Sequence, residues 1–395
     1  MASFNFSKLK EYIPSELPKV SLPLMPSFKM SGTELEDAET RHLDEQTAND
    51  SRQAAEAIAE DEPFSMVLAE PKPIPVGPKS NLDLINECDN FPYHQKNTQL
   101  YLAHINTYYG LYVKDYPNTE LGYILPSVAE VFRGLPDWKL NDAERSLTLI
   151  TGNNEEERSR AVAATTKAMR ATEHFEVLKG WRDELYPVYG PDRELLFSME
   201  RAASALFGIV TYGVHMTAYT MKAEDGEDEA MRLWVPRRAA NKQTYGGMLD
   251  NTVAGGISTG ESPFESLVRE AQEEASLPED IVRRDVKAVG TVTYFHIRDH
   301  RAGGETRLLQ PEVQYVYDLQ VAEDVVPKPS DDEVAGFELK TVDEVQKALR
   351  DGEFKPNCAL VLLDFFIRHN ILTSEDPGYI EMVARLHRHL EFPTR

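Results

Sequence analysis

The most informative segment of the chain runs from Gly255 to Leu277, with the sequence GGISTGESPFESLVREAQEEASL. It opens with a glycine-rich turn and continues into a predicted helix. Ser262 is a favourable N-cap, Pro263 suits the first helical position, and Glu265 lies three residues after the cap, as in a capping box with proline at N1. The apolar residues that follow recur at three- and four-residue spacing, which predicts a helix that packs one face on a sheet.

Another face of this helix is acidic. Glu270 is a helical neighbour of Glu273 and Glu274, with Cβ atoms roughly 5–6 Å apart, and Arg269 lies four residues before Glu273, where the two can pair. Carboxylates held this close repel one another, and a divalent cation removes that cost. Oxygen ligands suit a hard ion, so we expect Mg²⁺ or Mn²⁺ here. A solvated acidic face is the common alternative for a lone glutamate cluster; the glycine turn before it favours the metal site.

These residues resemble the Nudix box, G-x5-E-x7-R-E-U-x-E-E-x-G-U, in which U is a bulky apolar residue. Gly255 starts the pattern, and every charged position is filled from Glu261 to Glu274. Two positions depart from it. Ala271 is small for an apolar position, and Ser276 replaces the last glycine, so a left-handed helix end would be strained there. Neither departure removes a carboxylate.

Flanking segments extend the resemblance to one Nudix subgroup, the hydrolases of fungi and plants related to thiamine pyrophosphokinase. These segments are Leu233–Arg238, Lys242–Tyr245, Gly247–Gly256, Gly122–Pro126 and Ala205–His215. The resemblance implies an α/β class chain: a Nudix α/β/α sandwich with a mixed sheet, preceded by a small α+β domain. It also implies hydrolysis of thiamine diphosphate analogues, such as oxo- and oxythiamine diphosphate, to the monophosphate and phosphate.

The resemblance further assigns roles to the charged residues of the box. It implies that Glu270, Glu273 and Glu274 hold the metal and that Arg269 orients Glu273. Glu261 would support the loop or ligate a second metal. The family pattern makes either Glu273 or Glu274 the general base, and the sequence leaves that choice open.

Basic residues upstream of the box are candidates for substrate binding. Arg237, Arg238 and Lys242 lie on the predicted strand and loop before it, where they would clamp the diphosphate, the arginines in bidentate fashion. Balancing nearby carboxylates is the alternative, and both interpretations stay open. Gly255 and Gly256 would shape the turn beside the substrate, because glycine lets the backbone approach a ligand closely.

Glu333 precedes the last predicted strand of the chain. Several Nudix relatives carry a base in a loop of that region, so the resemblance makes Glu333 a further catalytic candidate. A solvated loop acid is the alternative interpretation.

Other functions share the box. A nucleoside diphosphate-sugar or dinucleotide hydrolase would use the same residues with a different pocket, because specificity lies outside the box. An isopentenyl diphosphate isomerase-like reaction needs a cysteine before the box, and residues 201–260 contain none. A non-catalytic diphosphate-binding protein would be expected to have lost one of the charged box residues, and all of them are present.

Composition limits the partners. The net charge of −24 argues against nucleic acid and against an anionic membrane surface, and no stretch approaches the roughly 18–20 apolar residues of a membrane span. Two cysteines, Cys88 and Cys358, give no disulfide framework and fit a reducing compartment. We therefore expect a cytoplasmic protein that acts on a small diphosphate, with mitochondrial import as the alternative. The sequence does not specify the oligomeric state.

Prolines and charge divide the chain into three predicted parts. Residues 1–80 are acidic and rich in proline, which predicts a disordered tail, and Met30 is a possible alternative start. Residues 81–200 are predicted to form a small α+β accessory domain and residues 201–395 the Nudix domain. In the latter, Leu206–Tyr219 is predicted as a β-rich run, and mixed strands flanked by helices give the α/β/α sandwich.

Deletion of residues 1–75 should leave catalysis unchanged, because the predicted tail contributes no box residue and no core. The comparison is kcat/KM of the truncated and full-length proteins on the same diphosphate. A large loss in the truncated protein would make the tail part of the active unit.

Overall fold

The structure is a computed structural model that describes residues 77–222, 230–330 and 332–395. The predicted disordered tail, residues 1–80, lies outside the described residues except for its last four positions, and Met30 lies outside them too. Within the described ranges, no helix has the length and apolar character needed to cross a membrane.

The described elements are numbered in chain order. The helices are α1 Asn81–Cys88, α2 Thr98–Ile105, α3 Pro126–Ala129, α4 Glu155–Ala171, α5 Ser204–Phe207, α6 Pro263–Ala275, α7 Glu279–Asp285, α8 Val342–Arg350, α9 Pro356–Arg368 and α10 Tyr379–Leu386. The strands are β1 Tyr109–Val113, β2 Gly122–Ile124, β3 Trp138–Asn141, β4 Ser146–Leu149, β5 Leu185–Tyr189, β6 Leu195–Glu200, β7 Thr211–Lys222, β8 Ala230–Arg238, β9 Val253–Gly256, β10 Lys287–Ile297, β11 Leu309–Gln320 and β12 Val334–Thr341.

The accessory part of the chain is a small α+β unit. Its sheet has the order β2-β1-β4-β3, with β1 and β4 parallel and the other neighbours antiparallel. Strands β5 and β6 form a separate antiparallel hairpin, against which α4 packs. The buried side chains of sheet, hairpin and helices form one apolar cluster that includes Leu111, Phe132, Leu147, Phe197 and Phe207.

The second sheet has the order β10-β11-β7-β8-β12, and β9 pairs with the first half of β7. The β7–β11 pair is parallel and the other pairs are antiparallel, so the sheet is mixed. One face packs on α6 and α7 through a cluster that includes Leu267 and Val282. The other packs on α1, α8, α9 and α10 through a cluster that includes Ile85, Leu349 and Leu360. The expected α/β class and α/β/α sandwich are therefore confirmed.

Helix α1 belongs to the layers of the second sheet, although it precedes the accessory sheet in the chain. Leu84 and Ile85 are buried in the same cluster as residues of α9 and α10. The accessory sheet and hairpin thus lie, in sequence, between two elements of the sandwich core.

Asp89, directly after α1, joins this helix to distant parts of the chain. Its side chain is fully buried and pairs with the equally buried Arg388, with 3.0 Å between Nη1 and Oδ1. Asp89 also accepts a hydrogen bond from the Phe295 backbone N–H at 3.1 Å and from the hydroxyl of Tyr93. Arg385 approaches the other oxygen at 3.3 Å. The carboxylate therefore ties α1 to β10 and to the segment after α10.

One predicted strand starts later than the sequence suggested. The β-rich run expected over Leu206–Tyr219 begins with the end of helix α5, and strand β7 starts at Thr211. Gly208 takes a left-handed φ of 60° and ends the helix, because glycine adopts this conformation without steric cost. Apolar runs of this length fit a helix or a strand, which is why the pattern misplaced the boundary.

Arg388→Met should lower the free energy of unfolding by about 3–5 kcal/mol, because it leaves a buried carboxylate without its best partner. Urea denaturation measures the loss. Arg385→Met is the matched control, since its side chain is 12% exposed and its ion pair with Asp89 is longer. Equal losses in the two variants would contradict the central role of the Asp89–Arg388 pair. The double variant Asp89→Asn/Arg388→Met should lose less than the sum of the single changes.

Candidate active site

The turn and helix predicted from the sequence position the acidic residues. Strand β9 ends at Gly256, and α6 begins at Pro263, where the Ser262 hydroxyl accepts a hydrogen bond from the Glu265 backbone N–H. The reciprocal half of the expected capping box is replaced, because the Glu265 carboxylate binds Arg283 instead.

Helix α6 ends in the left-handed conformation that the box pattern calls for. Ser276 takes a φ of 51° there, and its backbone N–H bonds to carbonyls of the last turn. The helix end thus keeps the glycine-like geometry in spite of the serine, at the steric cost that a side chain meets in this region.

The box helix lies unusually close to strand β9. A Cβ atom on Gly255 would lie 2.1 Å from Cδ of Glu270, so a side chain at this position would displace the carboxylate. Glu274 binds the strand from one turn further along, where its Oε2 accepts a hydrogen bond from the Ala254 backbone N–H at 2.9 Å. The two carboxylates are therefore held against the backbone of β9.

Arg269 organises the remaining carboxylates. Its guanidinium binds both oxygens of Glu261, at 2.9 and 3.1 Å. Its Nη1 also donates to Glu270 and to Glu273, each at 2.9 Å. The pairing of Arg269 with Glu273 agrees with the helical spacing. Glu261 does not line the cavity described below, so here it holds Arg269 rather than facing a ligand.

Burial and mutual repulsion disfavour the charged forms of the two helix carboxylates, Glu270 and Glu274. Burial, together with the neighbouring charges of Glu270 and Asp250, raises the pKa of Glu274 to about 8. Burial also raises the pKa of Glu270, although Arg269 opposes the change. Groups of this kind are more frequent at functional sites than elsewhere, because two close buried carboxylates are unstable without a counter-charge.

The donor set fits a hard divalent cation. Glu270 and Glu274 offer partly buried carboxylate oxygens whose mutual repulsion a cation would relieve, and Glu273 lies on the same side of the helix. In the described residues, no three acidic, histidine or cysteine side chains are gathered closely enough to hold a metal. Arg269 occupies the space between Glu270 and Glu273, so metal binding requires Arg269 to release at least one of them.

A cavity of about 680 Å³ opens beside these carboxylates. The Nudix side of its wall includes Gly255, Gly256, Glu270, Glu273 and Glu274, so the structure brings these predicted site residues together. The other wall comes from the accessory part of the chain, with Arg182, Glu184, Tyr186 and Arg201.

The accessory hairpin reaches the box turn itself. A Cβ atom on Gly256 would lie 1.8 Å from the Tyr186 hydroxyl oxygen, and the Ser258 hydroxyl donates to Glu184 at 3.0 Å. Arg201 pairs with Glu184 at 2.7 Å and lies over the Tyr186 ring. The sequence did not single out these residues, because the contact joins segments that are far apart in the chain.

The predicted substrate-binding cations are distributed unevenly. Arg238 and Lys242 line the cavity, and Arg237 does not. Arg237 lies on the opposite face of β8 from Arg238, since adjacent strand residues alternate, and binds the Gly247 carbonyl at 3.0 Å. Arg238 pairs with Asp250 at 2.6 Å.

Glu333, the further catalytic candidate, lines the cavity as a partner of cations. It pairs with Lys242 and, at 3.2 Å, with Arg182 of the accessory part. Burial alone would raise the pKa of Glu333, but these ion pairs lower it below its usual value. Glu333 thus bridges the two walls of the cavity.

Lys355 is a cavity residue that sequence reasoning missed. It precedes Pro356 at the start of α9 and lines the cavity. Within the described ranges, its ammonium group makes no hydrogen bond or ion pair, and its charge lowers the pKa of the buried Asp250 and His215. No local signal marks it, because its position follows only from the packing of α9 against the sheet.

Comparisons with known proteins divide the chain into the same two parts, an accessory domain followed by a Nudix domain. A family model described as the NUDIX domain matches residues 214–358, and one described as a domain of unknown function, DUF4743, matches residues 89–211. Uncharacterized protein YJR142W of Saccharomyces cerevisiae is 34% identical over 328 residues, which are 80% of this chain and 92% of that protein. Nudix hydrolase 20, chloroplastic, of Arabidopsis thaliana is 40% identical over 233 residues, 58% of each chain.

Similar solved structures include DR0079 from Deinococcus radiodurans, with 19% identity, a TM-score of 0.30, and coverage of 52% of this chain and 100% of that one. This chain spans about three fifths of the length of the plant relatives, 58% and 60%. The segment matched by the Nudix model contributes Gly255, Glu270 and Glu274 to the cavity, and the chain therefore contains a Nudix domain, preceded by a DUF4743 domain.

Proposed function

We propose that this protein hydrolyses the terminal diphosphate linkage of thiamine diphosphate analogues, such as oxo- and oxythiamine diphosphate, with Mg²⁺ or Mn²⁺ as cofactor. The observation that carries the hydrolase proposal is the pair of partly buried carboxylates, Glu270 and Glu274, held on β9 at the edge of a large polar cavity. The choice of thiamine compounds rests on the resemblance of the flanking segments to the thiamine pyrophosphokinase-related Nudix group.

Glu270, Glu273 and Glu274 would hold the metal. When bound, a divalent cation neutralises charge on the phosphoryl oxygens and lowers the pKa of a coordinated water. Glu261 supports the site indirectly in this proposal, because both of its oxygens bind Arg269. Arg269 in turn orients Glu273 and balances the charge of the helix face.

The general base has two main candidates. Either Glu273 or Glu274 would accept the proton of the attacking water. Glu273 is the more exposed of the two, with a side chain that is 55% exposed, whereas Glu274 binds the Ala254 N–H through one oxygen. Glu333 is the weaker candidate, because its ion pairs with Lys242 and Arg182 stabilise the carboxylate and reduce its basicity.

Lys355 would bind the substrate phosphates. An ammonium group that makes no ion pair with a described residue and lies in a cavity is available to an anion. Lys242, Arg238 and Arg182 also line this space, but each already pairs with a carboxylate. They would add to the positive potential in the cavity, but the phosphates would contact Lys355 first. Gly255 and Gly256 would keep the turn beside the phosphates free of side chains.

The compartment proposed is the cytoplasm. Cys88 and Cys358 are both free and buried, which suits a reducing environment. The plant relatives carry the word chloroplastic in their names, so an organelle is the alternative. The net charge of −24 supports a small-molecule substrate rather than a nucleic acid.

A phosphate-release assay with Mg²⁺ tests the reaction and the substrate together. Thiamine diphosphate, oxythiamine diphosphate, ADP-ribose and NADH are compared side by side. We expect turnover of the thiamine compounds and a loss of about 100-fold or more in Glu273→Gln and in Glu274→Gln, since charge stabilisation worth several kcal/mol is removed.

Glu265→Gln is the control on the same helix, because Glu265 is exposed and its carboxylate pairs with Arg283. It should keep near-normal turnover. Preferential turnover of ADP-ribose or NADH would contradict the proposed thiamine substrate and would still support hydrolysis of a diphosphate linkage. Near-normal rates in both Glu273→Gln and Glu274→Gln would contradict the assignment of these carboxylates to the metal site.

Lys355→Met should raise KM by about 10- to 100-fold with a smaller change in kcat, because a charged hydrogen bond to phosphate is worth about 1.5–3 kcal/mol. Steady-state kinetics measure both constants. Lys347→Met is the matched control. This exposed lysine of α8 pairs with Asp351 and does not line the cavity. An unchanged KM in Lys355→Met would show that other groups hold the phosphates.

A further inference from the structure

The accessory hairpin is tied to the loop that joins β9 to the box helix. The Glu184 carboxylate accepts a hydrogen bond from the Ser258 hydroxyl at 3.0 Å. The carbonyl oxygen of the next residue, Leu185, accepts one from the Thr259 backbone N–H at 2.8 Å. These two bonds hold strand β5 along the loop, so the side chain of the residue that follows, Tyr186, has a defined position beside the box.

The Tyr186 hydroxyl lies against the backbone of the box turn, where a Cβ atom on Gly256 would be only 1.8 Å from its oxygen. The Tyr186 side chain is 6% exposed and lines the cavity. Within the described ranges, its hydroxyl makes no hydrogen bond. Burial raises the pKa of Tyr186, so the hydroxyl keeps its proton. It is therefore a donor without an acceptor in the protein, and an oxygen of a ligand would satisfy it.

Arg201 adds further donors on the same wall. Its guanidinium lies over the Tyr186 ring, with Cζ 5.5 Å from the ring centroid. Its Nη1 donates to Glu184 at 2.7 Å, and no described residue accepts a hydrogen bond from its Nε or Nη2. The pair with Glu184 is neutral overall, so Arg201 offers directed N–H groups rather than net charge. Arg201 and Tyr186 both line the cavity, and we call these two residues the donor pair.

The donor pair and the acidic helix meet at adjacent glycines. Glu270 lies against Gly255 and Tyr186 against Gly256, and neighbouring Cα atoms are about 3.8 Å apart. Because adjacent strand residues point to opposite faces, the two side chains approach β9 from different sides. Both line the same cavity. A ligand with two linked phosphoryl groups can therefore present one group to the carboxylates and the other to the donor pair.

We propose that the donor pair of the accessory domain binds a phosphoryl group of the substrate, next to the phosphoryl group that lies at the box carboxylates. This inference rests on the proposed function, because it takes the diphosphate to lie at the box turn. Phosphoryl oxygens accept hydrogen bonds and do not donate them, which matches the O–H of Tyr186 and the remaining N–H groups of Arg201. In this arrangement Lys355 supplies net positive charge and the donor pair fixes the direction of the phosphates.

The proposal makes the active site a shared one. The carboxylates belong to the Nudix domain and the donor pair to the accessory domain. The bonds from the hairpin to Ser258 and Thr259 then have a functional consequence, because they set the distance between the two halves of the phosphate site.

Tyr186→Phe tests the hydroxyl, since it removes one oxygen and keeps the ring. The probe is methylenediphosphonate, whose P–C–P link is not hydrolysed, and isothermal calorimetry on the full-length protein with Mg²⁺ gives its affinity. We expect a loss of about tenfold or more, because a hydrogen bond to a charged group is removed. Equal affinity in the wild type and Tyr186→Phe, or no binding to the wild type, would overturn the proposal.

Tyr189→Phe is the matched control. Tyr189 lies on the same strand, β5, and does not line the cavity. This variant should bind methylenediphosphonate as tightly as the wild type, and thermal melting should show that both phenylalanine variants are folded. A loss of affinity as large in Tyr189→Phe as in Tyr186→Phe would show a general effect on the hairpin and would contradict a direct contact.

Arg201→Lys tests the second member of the donor pair. Lysine keeps the positive charge beside Glu184 and lacks the planar fork of N–H groups. We expect methylenediphosphonate to bind about threefold or more weakly. Arg193→Lys, in the exposed turn of the same hairpin, is the control and should leave the affinity unchanged. Wild-type affinity in Arg201→Lys would overturn the assignment of Arg201.

The phosphate-release assay separates this inference from the proposed function. Weaker binding of methylenediphosphonate in the donor-pair variants, without turnover of any tested diphosphate by the wild type, would leave the donor pair standing and contradict the hydrolase proposal. Turnover of the thiamine compounds with the same kcat/KM in the wild type, Tyr186→Phe and Arg201→Lys would support the hydrolase and contradict the donor pair.

Discussion

Close backbone approach at three glycines is the constraint on which the cavity depends. Side chains at Gly213, Gly255 and Gly256 would collide with Gln314, Glu270 and Tyr186, respectively. These contacts come from strand β11, the box helix and the accessory hairpin, so three separate elements converge on one short piece of β7 and β9. The acidic helix, strand β11 and the accessory hairpin can meet there only because these three positions carry no side chain.

Charge explains how so acidic a chain would accept an anion. The cavity is lined by carboxylates and by cations that mostly neutralise one another, as in the pairs of Arg238 with Asp250 and of Arg201 with Glu184. Long-range potential from a net charge of −24 opposes a diphosphate, so attraction must come from short distances, where screening is weak and the surroundings are of low dielectric. Lys355 is the group placed to supply it.

The sequence predicted what depends on local spacing. The cap at Ser262, the helix that follows and the pairing of Arg269 with Glu273 are interactions over three or four residues, and all are present. Alternation along β8 already separates Arg237 from Arg238, a distinction that the motif alone did not make. The fold class followed from the box and its flanks.

Sequence patterns did not predict the contacts between segments that are far apart in the chain. The Glu265 carboxylate leaves its capping box for Arg283, 18 residues away. Lys355 enters the cavity through the packing of α9, and Tyr186 through the docking of a hairpin, and neither has a motif around it. The sequence also did not show which residues of β10 and β11 line the cavity, because His296 and Gln314 look like ordinary strand residues until the register places their side chains on the same face as Glu312.

The bond between Asp89 and Arg388 spans 299 residues of chain. At ribosomal rates of about 5–20 residues per second, roughly 15–60 s pass between the synthesis of the two partners. During that interval the core that α1 joins is incomplete, while nearly all the buried side chains of the accessory cluster have been synthesised. The order of synthesis therefore lets the accessory sheet and hairpin form before the sandwich closes, so that the hairpin is in place when the box turn packs against it.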